Sequence, residues 1–227
     1  MEAINRYLDA AILKPEFTES ELSKAIQACI ELKTYSVCVR PCDVPLAQKL
    51  CVGTETAVCV VLGFPHGSQL SESKADEARR YIQLGVDEID MVANYGWVKS
   101  GNWDKVEGDI TGVAQLTRAA NITMKVIFET AQMNTEQIAR MTEVCIRAGA
   151  DFVKTSTGFN GDGAKVEDVK VMLDRAAGRI KVKPSGGIRD REAAENFIRM
   201  GAHRLGLGWS SCQAICEGKT PTRVTEY

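Results

Sequence analysis

The sequence predicts a single (β/α)8 barrel, and three observations carry that prediction. Short β-rich runs alternate with amphipathic stretches from end to end, there are eight such runs, and no linker or low-complexity segment divides them. Strands alternating with helices imply βαβ crossovers and a parallel sheet. The 227 residues fit one domain of this kind, because barrels routinely use about 200–250 residues as a unit. The barrel is expected to occupy 1–227, with a short N-terminal segment over 1–6 and a mobile C-terminal tail over 219–227.

The first strand is read in YLDAAIL (7–13). It is followed by KPEFTES, where Thr18 and Glu21 form a capping-box signature ahead of the helix ESELSKAIQACIELK. The next strands are YSVCVR (35–40), TAVCVVLGF (56–64), DEIDMVAN (87–94) and MKVIFET (124–130). Ile138, Met141, Cys145 and Ala148 then recur at i, i+3, i+7 and i+10, the spacing of one helical face. DFVKTST (151–157) is the sixth strand, and Val166, Val169, Leu173 and Ala176 repeat the helical spacing after it. IKVKPSG (180–186) and HRLGLGW (203–209) complete the eight. The rival is an open doubly wound sheet, which would carry a dinucleotide fingerprint after its first strand. KPEFTES contains no glycine; GLGWSS (206–211) has a serine where the third glycine belongs and follows the last strand.

Composition removes several function classes. The chain is 44% hydrophobic and 26% charged, ordinary for a globular protein with a substantial core. A net charge of −2 gives no electrostatic footprint for nucleic acid or an acidic membrane. No run of 18 apolar residues and no basic, apolar leader is present, so neither a span nor a secretory signal is expected. The eight cysteines sit largely in apolar runs such as SVCVR, AVCVVLGF and EVCIRAGA, where a thiol behaves as a small hydrophobe. Reduced thiols in the cytoplasm are expected. The pairs Cys38/Cys42 and Cys212/Cys216, with His66 and His203, supply no zinc pattern, so no metal is assigned.

The charges inside the strands carry the functional signal. Barrel enzymes draw catalytic groups from the C-terminal ends of strands, and strand residues alternate in direction. Parity puts Glu88, Asp90, Val92 and Asn94 on one face of their strand, and Lys125, Ile127 and Glu129 on one face of the next. Phe152, Lys154 and Ser156 share a face, as do Lys181, Lys183 and Ser185. A lone strand lysine commonly snorkels or sits in a structural ion pair. That reading suits Lys181, near its strand's start, and competes for Lys125. Several such ions in one barrel must be compensated or must shift pKa.

Two close lysines suit Schiff-base formation. The nucleophilic amine must be neutral, which requires a pKa lowered from ~10.4 to ~7–8, a cost of ~4 kcal/mol. A second ammonium about 4 Å away supplies energy on that scale at an effective dielectric near 20. Lys154 and Lys183, near the ends of consecutive strands, are the natural pair. Thr155, Ser156 and Thr157 are placed to hydrogen-bond substrate or to order the loop. Glycine-rich turns follow the last two strands, PSGGIR (184–189) and LGLGWSS (205–211), where barrels frequently bind phosphate. They point to a phosphorylated small molecule.

Several segments together resemble one family, the 2-deoxyribose-5-phosphate aldolases: EIDMVANYGWVKSGNWDKVEGDI (88–110), MKVIFET, AGADFVKTSTGF (148–159) and KVKPSGGIR (181–189), with SVCVRP (36–41) and VVLGFPHG (60–67) more loosely. The resemblance spans nearly the whole chain. It implies that Lys154 forms an imine with acetaldehyde, that Lys183 lowers its pKa, and that Asp90 relays protons. It further implies that Lys125 holds that network or the substrate. Asp9, Thr155, Ser156 and Gly158 are assigned to the substrate, and Gly186, Gly187, Gly206, Gly208 and Ser210 to the phosphate turns. The implied reaction is reversible cleavage of 2-deoxy-D-ribose 5-phosphate to D-glyceraldehyde 3-phosphate and acetaldehyde. No cofactor is implied, the partners are small phosphorylated sugars and aldehydes, and a homodimer is expected by resemblance.

The chain departs from the family pattern at three places. Ala11 stands where family members carry threonine, and Leu207, Gly208 and Trp209 precede Ser210 and Ser211 where RLGTSSG is typical. Arg40 replaces a frequent asparagine, as an anion-binding or simply solvated cation. Tyr227 ends the chain, where some members have a tyrosine that reaches the site. These departures keep two other readings open: an imine aldolase with a changed substrate, and a sugar-phosphate-binding barrel without catalysis.

Overall fold

The computed structural model describes residues 3–219. Eight parallel strands form one sheet in the order β7-β6-β5-β4-β3-β2-β1-β8. They are β1 (Leu8–Ile12), β2 (Ser36–Val39), β3 (Ala57–Leu62), β4 (Glu88–Val92), β5 (Thr123–Ile127), β6 (Phe152–Lys154), β7 (Lys181–Lys183) and β8 (Leu205–Gly208). Beyond the end of β7, a parallel bridge from Ser185 to Gly206 brings the two sheet edges together. The (β/α)8 barrel read from strand–helix alternation is the fold.

Helices follow the strands: α1 (Glu19–Glu31), α2 (Val44–Cys51), α3 (Ser71–Gln83), α4 (Tyr95–Lys99), α5 (Trp103–Ala119), α6 (Thr135–Ala148), α7 (Val166–Ala176), α8 (Arg191–Met200) and α9 (Trp209–Glu217). The Thr18–Glu21 capping box is formed, with both reciprocal bonds present, so α1 starts where the local sequence satisfies its orphan N–H groups. Ile138, Met141, Cys145 and Ala148 all face the core from α6. In α7 the apolar stripe is shorter than its spacing predicts. Val169 and Ala176 are buried and Leu173 packs against the core, but Val166 is exposed because it is the first residue of the helix.

The main apolar core lies between the strands and the helix ring. One buried ion pair crosses it. Lys74 of α3 bonds Asp109 of α5 at 2.6 Å and donates to the Val92 carbonyl at 3.1 Å, fixing the end of β4 just beyond Asp90. A smaller apolar group lies inside the barrel mouth, formed by Ala11, Leu13, Cys38, Cys59 and Val61 with Phe64 packed against it. Among the described residues no helix is long and apolar enough to cross a membrane. The expected tail lies almost wholly outside the described residues, and Tyr227 lies wholly outside them.

Candidate active site

The charged residues read from strand parity converge in the barrel interior. Asp90 of β4 is fully buried, and its register partner on β5 is Lys125. Lys125 Nζ donates to Asp90 Oδ1 at 2.9 Å and to Glu88 Oε2 at 2.6 Å. Lys154 and Lys183 are register partners on β6 and β7, and both reach the other Asp90 oxygen, Oδ2, at 2.7 and 2.8 Å. The two amine nitrogens therefore lie no farther apart than those two bonds laid end to end. Lys183 also approaches Asp9 Oδ2 at 2.6 Å, while Asp9 Oδ1 accepts from Ser36 and Arg204. Arg204 closes the network by donating to Glu88 Oε1 at 3.2 Å.

This connectivity sets the charge states. Burial works against the charge of Asp90, yet Lys125, Lys154 and Lys183 outweigh it and hold its carboxyl well below the usual carboxylate range. Burial likewise opposes Asp9, but Lys183, Lys125 and Arg204 keep it ionised below its ordinary value. Burial alone would neutralise Lys125, but Asp90 and its other anionic neighbours raise it well above normal.

Lys154 differs from the sequence expectation. Burial pulls its pKa down as expected, but Asp90, at ion-pair distance, more than reverses that, and the ammonium form is held above the ordinary lysine value. Parity placed two cations side by side; it did not place a carboxylate oxygen between them. In the resting site Lys154 is thus the charged partner of Asp90.

The remaining assignments separate by geometry. Thr155 is not free for substrate: its hydroxyl donates to the Ser185 carbonyl at 3.0 Å and accepts from the Ser185 N–H at 2.9 Å, clipping β6 to the turn after β7. Thr157 orders the loop by binding Glu129 through both its hydroxyl and its N–H. Ser156 lies between them, buried, with its hydroxyl oxygen unbonded among protein groups. Of the three, its hydroxyl is the one available to a ligand. Gly158 and Gly186 have positive φ values of 82° and 85°, and a Cβ at Gly186 would stand 3.0 Å from the Gly163 Cα, so backbone passes close to backbone here.

Two glycines assigned to phosphate do other work. The Gly186 N–H donates to the Gly206 carbonyl and the Gly206 N–H to the Pro184 carbonyl, so both amides are spent closing the sheet. Gly206 instead provides room: a Cβ there would stand 2.4 Å from Ser185 Oγ and 3.1 Å from Lys183 Cε. Gly187, Gly208 and Ser210 do line a cavity of about 170 Å³, with Ala11, Leu13, Lys14, Phe17, Phe159, Ile188, Arg189, Trp209 and Ser211. The N-terminus of α9 opens onto it, beginning at Trp209, which starts the helix instead of extending β8. Arg40 is partly exposed and lines a second cavity, and its guanidinium is committed to protein groups. It is held by Asp43 and by the carbonyls of Lys14, Pro15 and Phe17, anchoring the loop after β1.

A profile of the DeoC/LacD family aldolases matches residues 7–218. The chain belongs to the DeoC/LacD aldolase family. It is 44% identical over 218 residues to a deoxyribose-phosphate aldolase of Mannheimia succiniciproducens, covering 96% of this chain and 95% of that one. It superposes with a TM-score of 0.90 and 35% identity on a putative deoxyribose-phosphate aldolase of Coccidioides immitis, covering 96% and 87% of the two chains. A tetrameric deoxyribose phosphate aldolase of Aeropyrum pernix matches with a TM-score of 0.84 and 28% identity, over 94% and 89% of the chains. The resemblance read from the strand motifs is thereby established as family membership.

For this DeoC/LacD family member, sequence reading missed the groups that complete the ion network. Glu88 was visible by parity as a face-mate of Asp90, but a strand-by-strand reading gives no distances between strands. Ser36 and Arg204 sit near strand starts, and nothing local marks them. Lys181 is exposed, as its place near the start of β7 predicts. Among the described residues, Cys38, Cys59 and Asp90 form a group with metal-ligand atoms close together.

Proposed function

We propose that this protein is a class I aldolase that reversibly cleaves 2-deoxy-D-ribose 5-phosphate to D-glyceraldehyde 3-phosphate and acetaldehyde through an imine on Lys154. The observation that carries the reading is the pair of lysines on one Asp90 oxygen, which gives the buried Lys154 amine both a proton acceptor and a second cation at hand. Family membership and the named relatives support the substrate class.

The chemistry follows from that arrangement. The carbonyl carbon of the open-chain sugar takes the Lys154 Nζ lone pair once the amine has passed a proton to Asp90, the carboxylate it bonds. Lys183 competes with Lys154 for the same carboxylate oxygen, so each hydrogen bond it makes to Asp90 weakens the hold on the Lys154 proton. Loss of water gives the protonated imine, which accepts the electron pair of the breaking C2–C3 bond as the C3 hydroxyl passes its proton to the Asp90 relay and D-glyceraldehyde 3-phosphate leaves. The same relay returns a proton to the enamine carbon, and hydrolysis releases acetaldehyde. Lys125 is a positioning group that keeps Asp90 ionised and oriented, and Asp9 holds Lys183 beside it. Ser156 is assigned to a substrate hydroxyl.

The phosphate is assigned to the cavity at Gly187, Gly208 and the α9 N-terminus. Backbone N–H groups and the helix dipole favour an anion there. Lys14 and Arg189 on the lining supply cations. A second reading, a changed aldehyde acceptor, is favoured by the apolar part of that lining, where Ala11, Leu13, Phe17, Phe159 and Trp209 meet.

Incubation with acetaldehyde and borohydride, followed by peptide mapping, tests the reading. A reduced adduct on Lys154 is expected, and absence of an adduct on any lysine overturns it. Turnover of deoxyribose 5-phosphate against deoxyribose then tests the phosphate site; equal efficiency refutes that site.

A further inference from the structure

We propose that Cys38, Cys59 and Asp90 form a binding site for a thiophilic divalent ion such as Zn²⁺ or Cd²⁺, and that occupation of this site shuts the barrel's chemistry off. Cys38 and Cys59 are register partners on β2 and β3, both pointing into the barrel mouth. Their sulfur atoms and an Asp90 oxygen lie within 4.8 Å of one another, and Cys59 Sγ is 3.2 Å from Asp90 Oδ1. Ligands of a tetrahedral zinc ion, at about 2.3 Å for sulfur and about 2.0–2.2 Å for oxygen, stand roughly 3.5 Å apart. Modest side-chain rotation brings these three donors to that spacing. The donor type selects the ion, since two thiolates and one carboxylate favour zinc or cadmium over magnesium or calcium.

Charge also permits it. Lys125, Lys154, Lys183 and Arg204 face Asp9, Glu88 and Asp90, so the network has one more cation than anions while the thiols are neutral. Binding breaks two S–H bonds, forms two metal–sulfur bonds and releases both protons to solvent, with no electron transferred. A dication therefore enters without changing the net charge of the buried network. Lys125 Nζ, 3.7 Å from Cys59 Sγ, stands ready to stabilise that thiolate. Ala11, the register partner of Cys38, lines the cavity of about 170 Å³.

The site is inhibitory because it takes Asp90 through Oδ1, the oxygen Lys125 holds, and so draws charge from the carboxylate whose Oδ2 serves Lys154 and Lys183. The inhibitory half rests on the proposed imine reaction; the binding half does not. The experiment keeps them apart. The full chain, kept reduced with a phosphine, is titrated with Cd²⁺ while thiolate-to-cadmium charge-transfer absorption and proton release are followed. One ion per chain, two protons per ion and a matching loss of borohydride-trappable adduct are expected.

Cys59→Ala and Cys59→Ser remove one sulfur ligand together with its 3.2 Å hydrogen bond to Asp90, so metal binding is read by absorption and not by turnover. Each should weaken the tight step by more than the ~10–100-fold that loss of an outer-shell partner costs. The exposed Cys42 serves as the control position, and Cys42→Ala should leave the titration unchanged. Charge-transfer absorption that survives both Cys59 variants, or none in the parent, overturns the site. Tight binding with undiminished turnover overturns the inhibition alone. If the chain forms no imine at all, the absorption and proton counts still decide the site.

Discussion

Lys154 and Lys183 donate to the same oxygen of Asp90, at 2.7 and 2.8 Å. One carboxylate oxygen thus serves two ammonium groups, and the protonation of Lys154 depends on how that oxygen is shared. Removing Lys183 leaves the Asp90 Oδ2 to Lys154 alone, with Lys125 still on Oδ1. Lys183→Leu should therefore raise the apparent pKa of Lys154 further, and each unit costs about tenfold in the neutral amine at a given pH. The pH–rate profile should shift to higher pH with a fall in rate at neutral pH of at least that size. An unchanged profile would show that another group tunes the nucleophile.

Asp90→Asn keeps shape but leaves Lys125, Lys154 and Lys183 without their shared anion. Breaking a buried ion pair from one side costs about 3–5 kcal/mol, and losing a positioned acid–base group costs about 10²–10⁴ in rate. Urea unfolding and single-turnover trapping should show both losses. A stable, active variant would remove Asp90 from the relay.

Thr155 and Ser156 are adjacent but should behave oppositely. Thr155→Val breaks two bonds to the Ser185 backbone and should cost about 1–3 kcal/mol of stability. Ser156→Ala removes a hydroxyl with no protein partner, so stability should hold while kcat/KM falls. Thermal unfolding and steady-state kinetics on both variants separate the two roles, and matching effects would contradict the assignment.

Gly206 makes room for Lys183. Gly206→Ala would set a methyl group 2.4 Å from Ser185 Oγ and 3.1 Å from Lys183 Cε. Overpacking of this kind costs about 1–3 kcal/mol, and displacement of Lys183 should lower kcat while KM changes little. A KM effect alone would instead place Gly206 at the phosphate.

The buried carboxylates also fix an acid limit. Asp9 and Asp90 have folded-state pKa values below their unfolded values, so their stabilisation is fully present above the unfolded value of about 4 and is lost as pH falls toward the folded ones. Urea midpoints should hold steady down to about pH 4–5 and then drop. Asp9→Asn should lower the plateau and flatten that drop; a drop of unchanged steepness would show that Asp9 is not among the groups responsible.

The sequence by itself determined the barrel, the place of each strand, and the identities of Lys154, Lys183, Asp90 and Lys125. These are local properties: alternation of period two and spacing of period 3.6 are written residue by residue, and a charge inside an apolar strand stands out against its neighbours. The Thr18 cap on α1 was legible for the same reason. Tertiary structure decided what each group touches. It put an Asp90 oxygen between the two lysines, brought in Glu88 and Arg204, turned Thr155 to the backbone, and spent the Gly186 and Gly206 amides on closing the sheet. It also set Cys38 beside Cys59 and Asp90, from three different strands. Coulomb and hydrogen-bond energies depend on distances of a few ångströms between such strands, and a linear sequence holds no record of those distances until the barrel has closed.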